Sequence, residues 1–146
     1  MTIFTMGFTK KSAQTFFELI KANNITALLD IRLNNSSQLA GFSKGCDLNY
    51  FLRELCNCSY RYEPIFAPTK ALMDSAKSKT MTLRQFEAAY LRLMEERNTL
   101  SYFETQYATC DSVCLLCSED TPEICHRRVL AEMIAGQYPH AAIRHL

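Results

Sequence analysis

The sequence predicts a single three-layer α/β domain over residues 1–146, with a mostly parallel sheet of about five strands flanked by helices. Three observations predict it. Short apolar runs alternate with stretches of helical spacing along the whole chain. The runs at 25–31 (ITALLDI) and 112–117 (SVCLLC) are apolar almost throughout, which suits strands of a parallel sheet covered on both faces. The 146 residues are 48% hydrophobic and 21% charged, with only four glycines and four prolines, so one core is affordable and disorder is excluded. Strands alternating with helices imply right-handed crossovers.

Each element has its own signal. The run 3–6 closed by Gly7 reads as the first strand. Ser12 is placed to cap a helix carrying Phe16, Phe17, Leu19 and Ile20, with Asn23 and Asn24 at its end. The second strand is 25–31. A polar stretch at 33–45 follows, long enough for a functional loop. Asp47 then suits the cap of a helix with Leu48, Phe51, Leu52 and Leu55 on one face. Residues 60–65 read as a third strand, bounded by Pro64 and Pro68. From about Thr82 to Arg97, Leu83, Phe86, Tyr90, Leu93 and Met94 make a helical stripe with Thr82 as cap. A short helix is expected at 100–108, a fourth strand at 112–117, and a helix from near Pro122 to Ala135 ending at Gly136. A last strand closes the chain at 141–146. No internal repeat or domain boundary interrupts the order.

Composition excludes several classes of function. Net charge is +1, which removes the strongest reason to expect nucleic acid or an anionic membrane as an obligatory partner. The start has no basic segment followed by an apolar one, and no window approaches the ~18 apolar residues of a membrane span. With seven cysteines, an odd number, reduced thiols and a cytoplasmic location are the expectation. No glycine-rich phosphate cradle of either common type is present. A thiol-phosphatase loop would place arginine six residues after its cysteine, yet six after Cys117 stands Glu123. The paired motifs of a zinc deaminase are also missing.

In an open parallel sheet ligands bind beyond the carboxyl ends of the strands, and three such ends carry polar residues. The first has Thr5 and Gly7. The second has Asp30 and Arg32, which period-two alternation points to one face; they serve equally as a buried ion pair or as ligand-binding groups. The fourth has Cys117, Ser118 and Glu119. Just beyond it stands Cys125-His126-Arg127-Arg128, near a helix N-terminus where an anion or thiolate is favoured; the bland alternative is solvated arginines and a capping histidine. Cys114 and Cys117, three apart in a strand, face opposite ways and cannot clasp one metal. Cys56 and Cys58 suit packing. Cys117, Cys125 and His126 offer three donors with no fourth at a useful spacing, so neither metal nor other cofactor is expected.

The ordered set Thr5-x-Gly7, Asp30-x-Arg32, Cys117-x-Glu119 and Cys125-His126-Arg127 resembles the DUF488 family over nearly the whole chain, including Phe42-Ser43-Lys44 and the aromatic strand around Tyr62. The resemblance implies a small cytoplasmic α/β domain with a polar site at those positions. Two segments depart from the family's usual pattern. Residues 34–38 read NNSSQ in place of a Pro- and Arg-containing segment, and 65–68 read IFAP in place of Leu-Gly-Gly. Both suggest a subgroup with a different ligand or an altered activity.

The expectation is therefore an enzyme acting on a small anionic substrate, phosphate- or carboxylate-bearing. Arg32 and Arg127 would hold the anion. His126 or Glu119 would be general acid or base, and Cys117 or Cys125 the nucleophile. Thr5, Gly7, Asp30 and Lys44 complete the expected binding residues. The alternative is a non-catalytic module binding a nucleotide or nucleic acid, with Lys44, Arg53 and Arg61 on phosphates and Tyr50, Tyr60 and Tyr62 stacking.

Overall fold

The computed structural model describes residues 1–36, 41–123 and 125–146. Ser37 and Gln38 of the family-departing segment lie outside the described residues. Five strands form one all-parallel sheet: β1 (Thr2–Gly7), β2 (Ala27–Asp30), β3 (Ser59–Tyr62), β4 (Ser112–Cys117) and β5 (Ala142–His145), in the order β3-β2-β4-β1-β5. Six helices flank it: α1 (Ala13–Ala22), α2 (Gly45–Cys56), α3 (Lys70–Lys77), α4 (Leu83–Glu96), α5 (Thr99–Tyr107) and α6 (His126–Ala135). Among the described residues no helix is long and apolar enough to cross a membrane.

Strand alternation divides the core into two layers. Phe4, Met6, Leu28, Cys114 and Leu116 pack against Phe16, Phe17 and Ile20 of α1 and Leu48 and Leu52 of α2. Ile3, Ala27, Leu29, Val113 and Leu115 pack on the other side against Tyr90 and Met94 of α4, Phe103 of α5 and Leu130 and Ile134 of α6. Cys114 is thus a core residue of the α1–α2 face, pointing away from Cys117 as the alternation requires. Every strand residue of β2 and β4 is buried, which explains their continuous apolar runs.

Local chemistry sets the boundaries. The Ser12 side chain accepts from Thr15 N and starts α1. Thr82 and Gln85 form a reciprocal capping box at α4. Removing it by Thr82→Ala should cost about 1 kcal/mol, measured by denaturant unfolding, with the sheet unaffected.

The structure corrects three expected boundaries and adds one helix. Asp47 is not a cap: α2 starts at Gly45, with Lys44 at its N-cap and Asp47 inside the first turn. The third strand ends at Tyr62, because Pro64 has no N–H for a ladder and opens a 3-10 turn, Pro64–Phe66. The last helix begins at His126, leaving Cys125 at its N-cap in extended conformation. Helix α3 was not expected at all. Its N-cap Thr69 accepts from Leu72 N, and the Thr69-x-x-Leu72 spacing after Pro68 is the signal that could have found it.

Candidate functional site

Strands β2 and β4 are hydrogen-bonded neighbours, yet the chain leaves β2 toward α2 on one face and leaves β4 toward α6 on the other. The strand ends therefore part around a crevice, the place where doubly wound sheets bind ligands. A cleft of about 770 Å³ opens there, with Cys117, Cys125 and His126 in its lining. Arg32 and Leu33 come from the end of β2, Met73 and Lys77 from α3, Met81, Leu83 and Phe86 from the start of α4. A shallower depression of about 480 Å³ lies at the opposite end of the sheet, between the ends of α1 and α2. Of the residues expected at either kind of site, only Arg53, from the nucleic-acid alternative, lines it.

Cys117, Cys125 and His126 are all buried, and their donor atoms lie within 4.8 Å of one another. His126 Nε2 is 3.1 Å from the carbonyl oxygen of Ile31. A carbonyl only accepts, so Nε2 carries a proton, and Nδ1 is the ring atom left to meet the cysteines. Nδ1 faces Cys117 Sγ at 3.7 Å. Tyr90 meets the imidazole edge-on at 5.4 Å, and its own hydroxyl donates to Phe66 O, so the ring is fixed on a second side.

The two thiols are polarised in opposite directions. The Cys117 thiol is pulled below its ordinary value, first by a hydrogen bond from Cys125. Burial opposes that pull, while the amides of Glu119 and Ser118 and the charge of Arg127 reinforce it. Cys125 is pushed up by that same hydrogen bond and by burial. His126 pulls Cys125 the other way, through a hydrogen bond and its charge, without overcoming that push. Burial pushes Cys58 up to about 12 and raises Cys114 too, leaving both inert. The Cys117, Cys125 and His126 donors also offer a metal three ligands, one short of a closed tetrahedral set.

Other expected site residues have different duties. Asp30 is fully buried and Arg32 is 3% exposed. Arg32 Nε donates to Asp30 Oδ1 at 2.7 Å and its NH2 to Oδ2 at 2.6 Å. The same NH2 reaches Ser43 O at 2.7 Å, and the guanidinium lies over the Phe8 ring. Tyr60 Oη donates to Asp30 Oδ2, and Asn35 Nδ2 donates to Tyr60 Oη. Asn35, in the family-departing segment, thus supports this network. Arg32 borders the cleft with its charge already matched, so the expected bidentate clamp on a substrate anion is not available from it.

Arg127 is also withdrawn. It is fully buried and donates to the carbonyls of Glu119 and Asp120. It forms no ion pair among the described residues, and its charge favours both the Cys117 thiolate and the Glu123 carboxylate. Thr5 hydrogen-bonds with His145 of β5 and lies away from the cleft lining. Gly7 makes room for the 118–120 loop: a Cβ there would stand 1.6 Å from Glu119 O. Lys44 sits at the α2 N-cap outside the cleft lining. Glu119 does line it, with its side chain exposed.

Of the tyrosines that nucleic-acid binding would use, Tyr60 is bonded to Asp30, Tyr62 donates to Leu33 O, and Tyr50 stands outside under Arg53. Sequence reasoning missed the Ile31 carbonyl, the amides of 118–119 and Lys77. The first two are backbone groups with no residue signature.

Fold and site define a three-layer, all-parallel α/β protein with a buried Cys–His pair at the sheet's switch point. The family model of DUF488, a domain of unknown function, matches residues 12–134, and the chain belongs to that family. The matched span includes the whole Cys–His site and begins after Thr5 and Gly7. No curated protein and no solved structure matches the chain.

Proposed function

We propose that the protein is a thiol-dependent enzyme in which Cys117 is the nucleophile and His126 accepts and returns its proton. One observation carries the reading: Cys117 Sγ lies 3.7 Å from Nδ1 of an imidazole whose other nitrogen is held by Ile31 O. Nucleophile, base and orienting group in that order are the working parts of covalent catalysis. The amides of Ser118 and Glu119 hold the charged sulfur, and Cys125 supplies a further hydrogen bond.

The substrate class follows from the cleft wall. Met73, Met81, Leu83 and Phe86 give an apolar side, and Lys70 and Lys77 stand on the same wall. Lys70 is engaged by Asp74. Lys77 makes no ion pair among the described residues and is the group placed to meet an anion. The reading is a small substrate with an apolar body and one negative group. Glu119, exposed at the mouth, is the second candidate acid or base.

The test is methyl methanethiosulfonate labelling of the native chain between pH 5 and 9, quantified for each cysteine by peptide mass spectrometry. A thiol lowered below its ordinary value of about 8.5 keeps its thiolate, and its rate, as pH falls past that value. Cys117 should therefore label at least tenfold faster than Cys58, Cys114 and Cys125 at pH 6. A Cys117 profile with an ordinary midpoint, or no labelling across the range, would remove the nucleophile and the proposal with it.

A further inference from the structure

Resting on the reading of Cys117 as nucleophile, we infer that Cys125 is its resolving partner. The pair closes to a disulfide when an organic hydroperoxide oxidises Cys117 in the cleft. The site is then a thiol peroxidase, a substrate assignment the nucleophile alone does not make.

A second thiol aimed at the first is the observation that asks for this. Transfer of an acyl or phosphoryl group through Cys117 needs one sulfur and one base. Here a second buried sulfur lies within 4.8 Å of both. The other buried cysteines, Cys58 and Cys114, are packing residues of the α1–α2 face; Cys125 alone shares the cleft. A disulfide needs an S–S bond of about 2.05 Å, so the sulfurs must approach by less than 3 Å. Cys125 can supply that movement. It is the extended residue before α6, at φ −124° and ψ 135°, so its side chain turns without breaking the helix.

The chemistry balances with two thiols and one hydroperoxide. His126 Nδ1 takes the Cys117 proton, and the thiolate attacks the terminal oxygen of ROOH. The O–O bond breaks, an S–O bond forms, and the departing alkoxide takes the proton from Nδ1 as ROH. Cys117 is then a sulfenic acid. The Cys125 sulfur attacks the sulfenic sulfur, its proton passing through Nδ1 to the leaving hydroxide, and water departs. Two thiols lose two electrons and become a disulfide; the hydroperoxide gains them and becomes alcohol and water. An external dithiol restores the pair by exchange. The apolar wall of Met73, Met81, Leu83 and Phe86 favours a hydroperoxide with a hydrocarbon body over hydrogen peroxide, and Lys77 on the same wall suits a negative group at the far end of that body.

The experiment uses the full reduced chain, cumene hydroperoxide and hydrogen peroxide as separate probes, and N-ethylmaleimide to stop the reaction. The expected result is loss of two of the seven thiols, a Cys117–Cys125 linked peptide, and full recovery with dithiothreitol. Cumene hydroperoxide should act at least tenfold faster than hydrogen peroxide. Cys125→Ser should halt at a dimedone-reactive Cys117, releasing one alcohol per chain; Cys125→Ala repeats the test should the serine variant not fold.

The failures separate cleanly. Fast labelling of Cys117 at pH 6 with no linked peptide overturns the peroxidase and leaves the nucleophile standing. Slow labelling of Cys117 in the reduced chain overturns both. A purified chain holding one equivalent of zinc, with Cys117 and Cys125 protected until chelation, overturns the dithiol cycle in favour of a metal site. Equal rates with the two peroxides overturn the organic substrate class.

Discussion

Gly7→Ala is expected to destabilise the protein by about 3 kcal/mol, at the severe end of what inserting one methyl does to a packed interior. The new Cβ would stand 1.6 Å from Glu119 O, 2.5 Å from its carbonyl carbon and 3.2 Å from Asp120 N. All three are backbone atoms, so no side chain can swing aside. The obstructed loop is anchored on several sides. Thr9 donates to Ser118 O through both its amide and its hydroxyl. Arg127 holds the carbonyls of Glu119 and Asp120. Lys10 and Lys11 reach the Asp120 carboxylate. Making room means moving the segment whose amides hold the Cys117 sulfur. Two readouts should therefore change together. The denaturant midpoint falls at unchanged m-value, and the labelling midpoint of Cys117 rises toward that of an ordinary thiol. A loss below 1 kcal/mol would mean that the loop rides freely over β1. A stability loss with an unmoved Cys117 profile would mean that the loop amides do not tune the thiol.

That coupling explains how much of the site the sequence could show. Strand alternation puts Asp30 and Arg32 on one face, and the run at 112–117 delivers Cys117 to a strand end beside them. Those inferences need only the period of a strand and the burial of a parallel sheet. The partition of roles is another matter. A guanidinium at a strand end is equally suited to a substrate carboxylate and to a neighbouring aspartate, and only distance decides. Arg127 is harder still, because its partners are main-chain carbonyls of a loop whose path is unwritten in residue types. The two cysteines show the same limit. Residue types leave the nucleophile open between Cys117 and Cys125; an activated Cys125 would need a helix beginning near Pro122, whereas the helix starts at His126 and the amides that matter belong to residues 118 and 119. The cleft wall was the least legible part. Helix α3 has no fully buried residue, so its apolar positions lack the strong stripe that marks α4, yet it supplies the lysines and much of the mouth.

Asp30→Asn should cost about 3–5 kcal/mol, the usual penalty for removing one partner of a buried ion pair. The magnitude comes from what remains. Arg32 would keep its charge with the Ser43 carbonyl and the face of Phe8 as company, and neither is an anion. Burial disfavours the Arg32 cation, and the hydrogen bonds and charge of Asp30 more than offset it, so its affinity for the proton is raised. That support goes with the carboxylate, but an arginine guanidinium does not shed its proton in a protein, so the loss cannot be relieved by neutralising Arg32. Tyr60 adds to the effect, because its hydroxyl gives its hydrogen bond to the carboxylate. Arg32→Gln should be nearly as damaging, as it leaves the Asp30 carboxylate buried with Tyr60 as its remaining side-chain donor among the described residues. The double variant decides between a structural and a substrate-binding pair. For two groups bonded chiefly to each other, the double loss should fall short of the summed single losses by about 2–3 kcal/mol. Labelling of Cys117 should persist in whatever fraction stays folded, since neither side chain touches its sulfur. Additive losses, or single losses below 1 kcal/mol, would show that the charges are solvated and that Arg32 is free to hold an anion in the cleft.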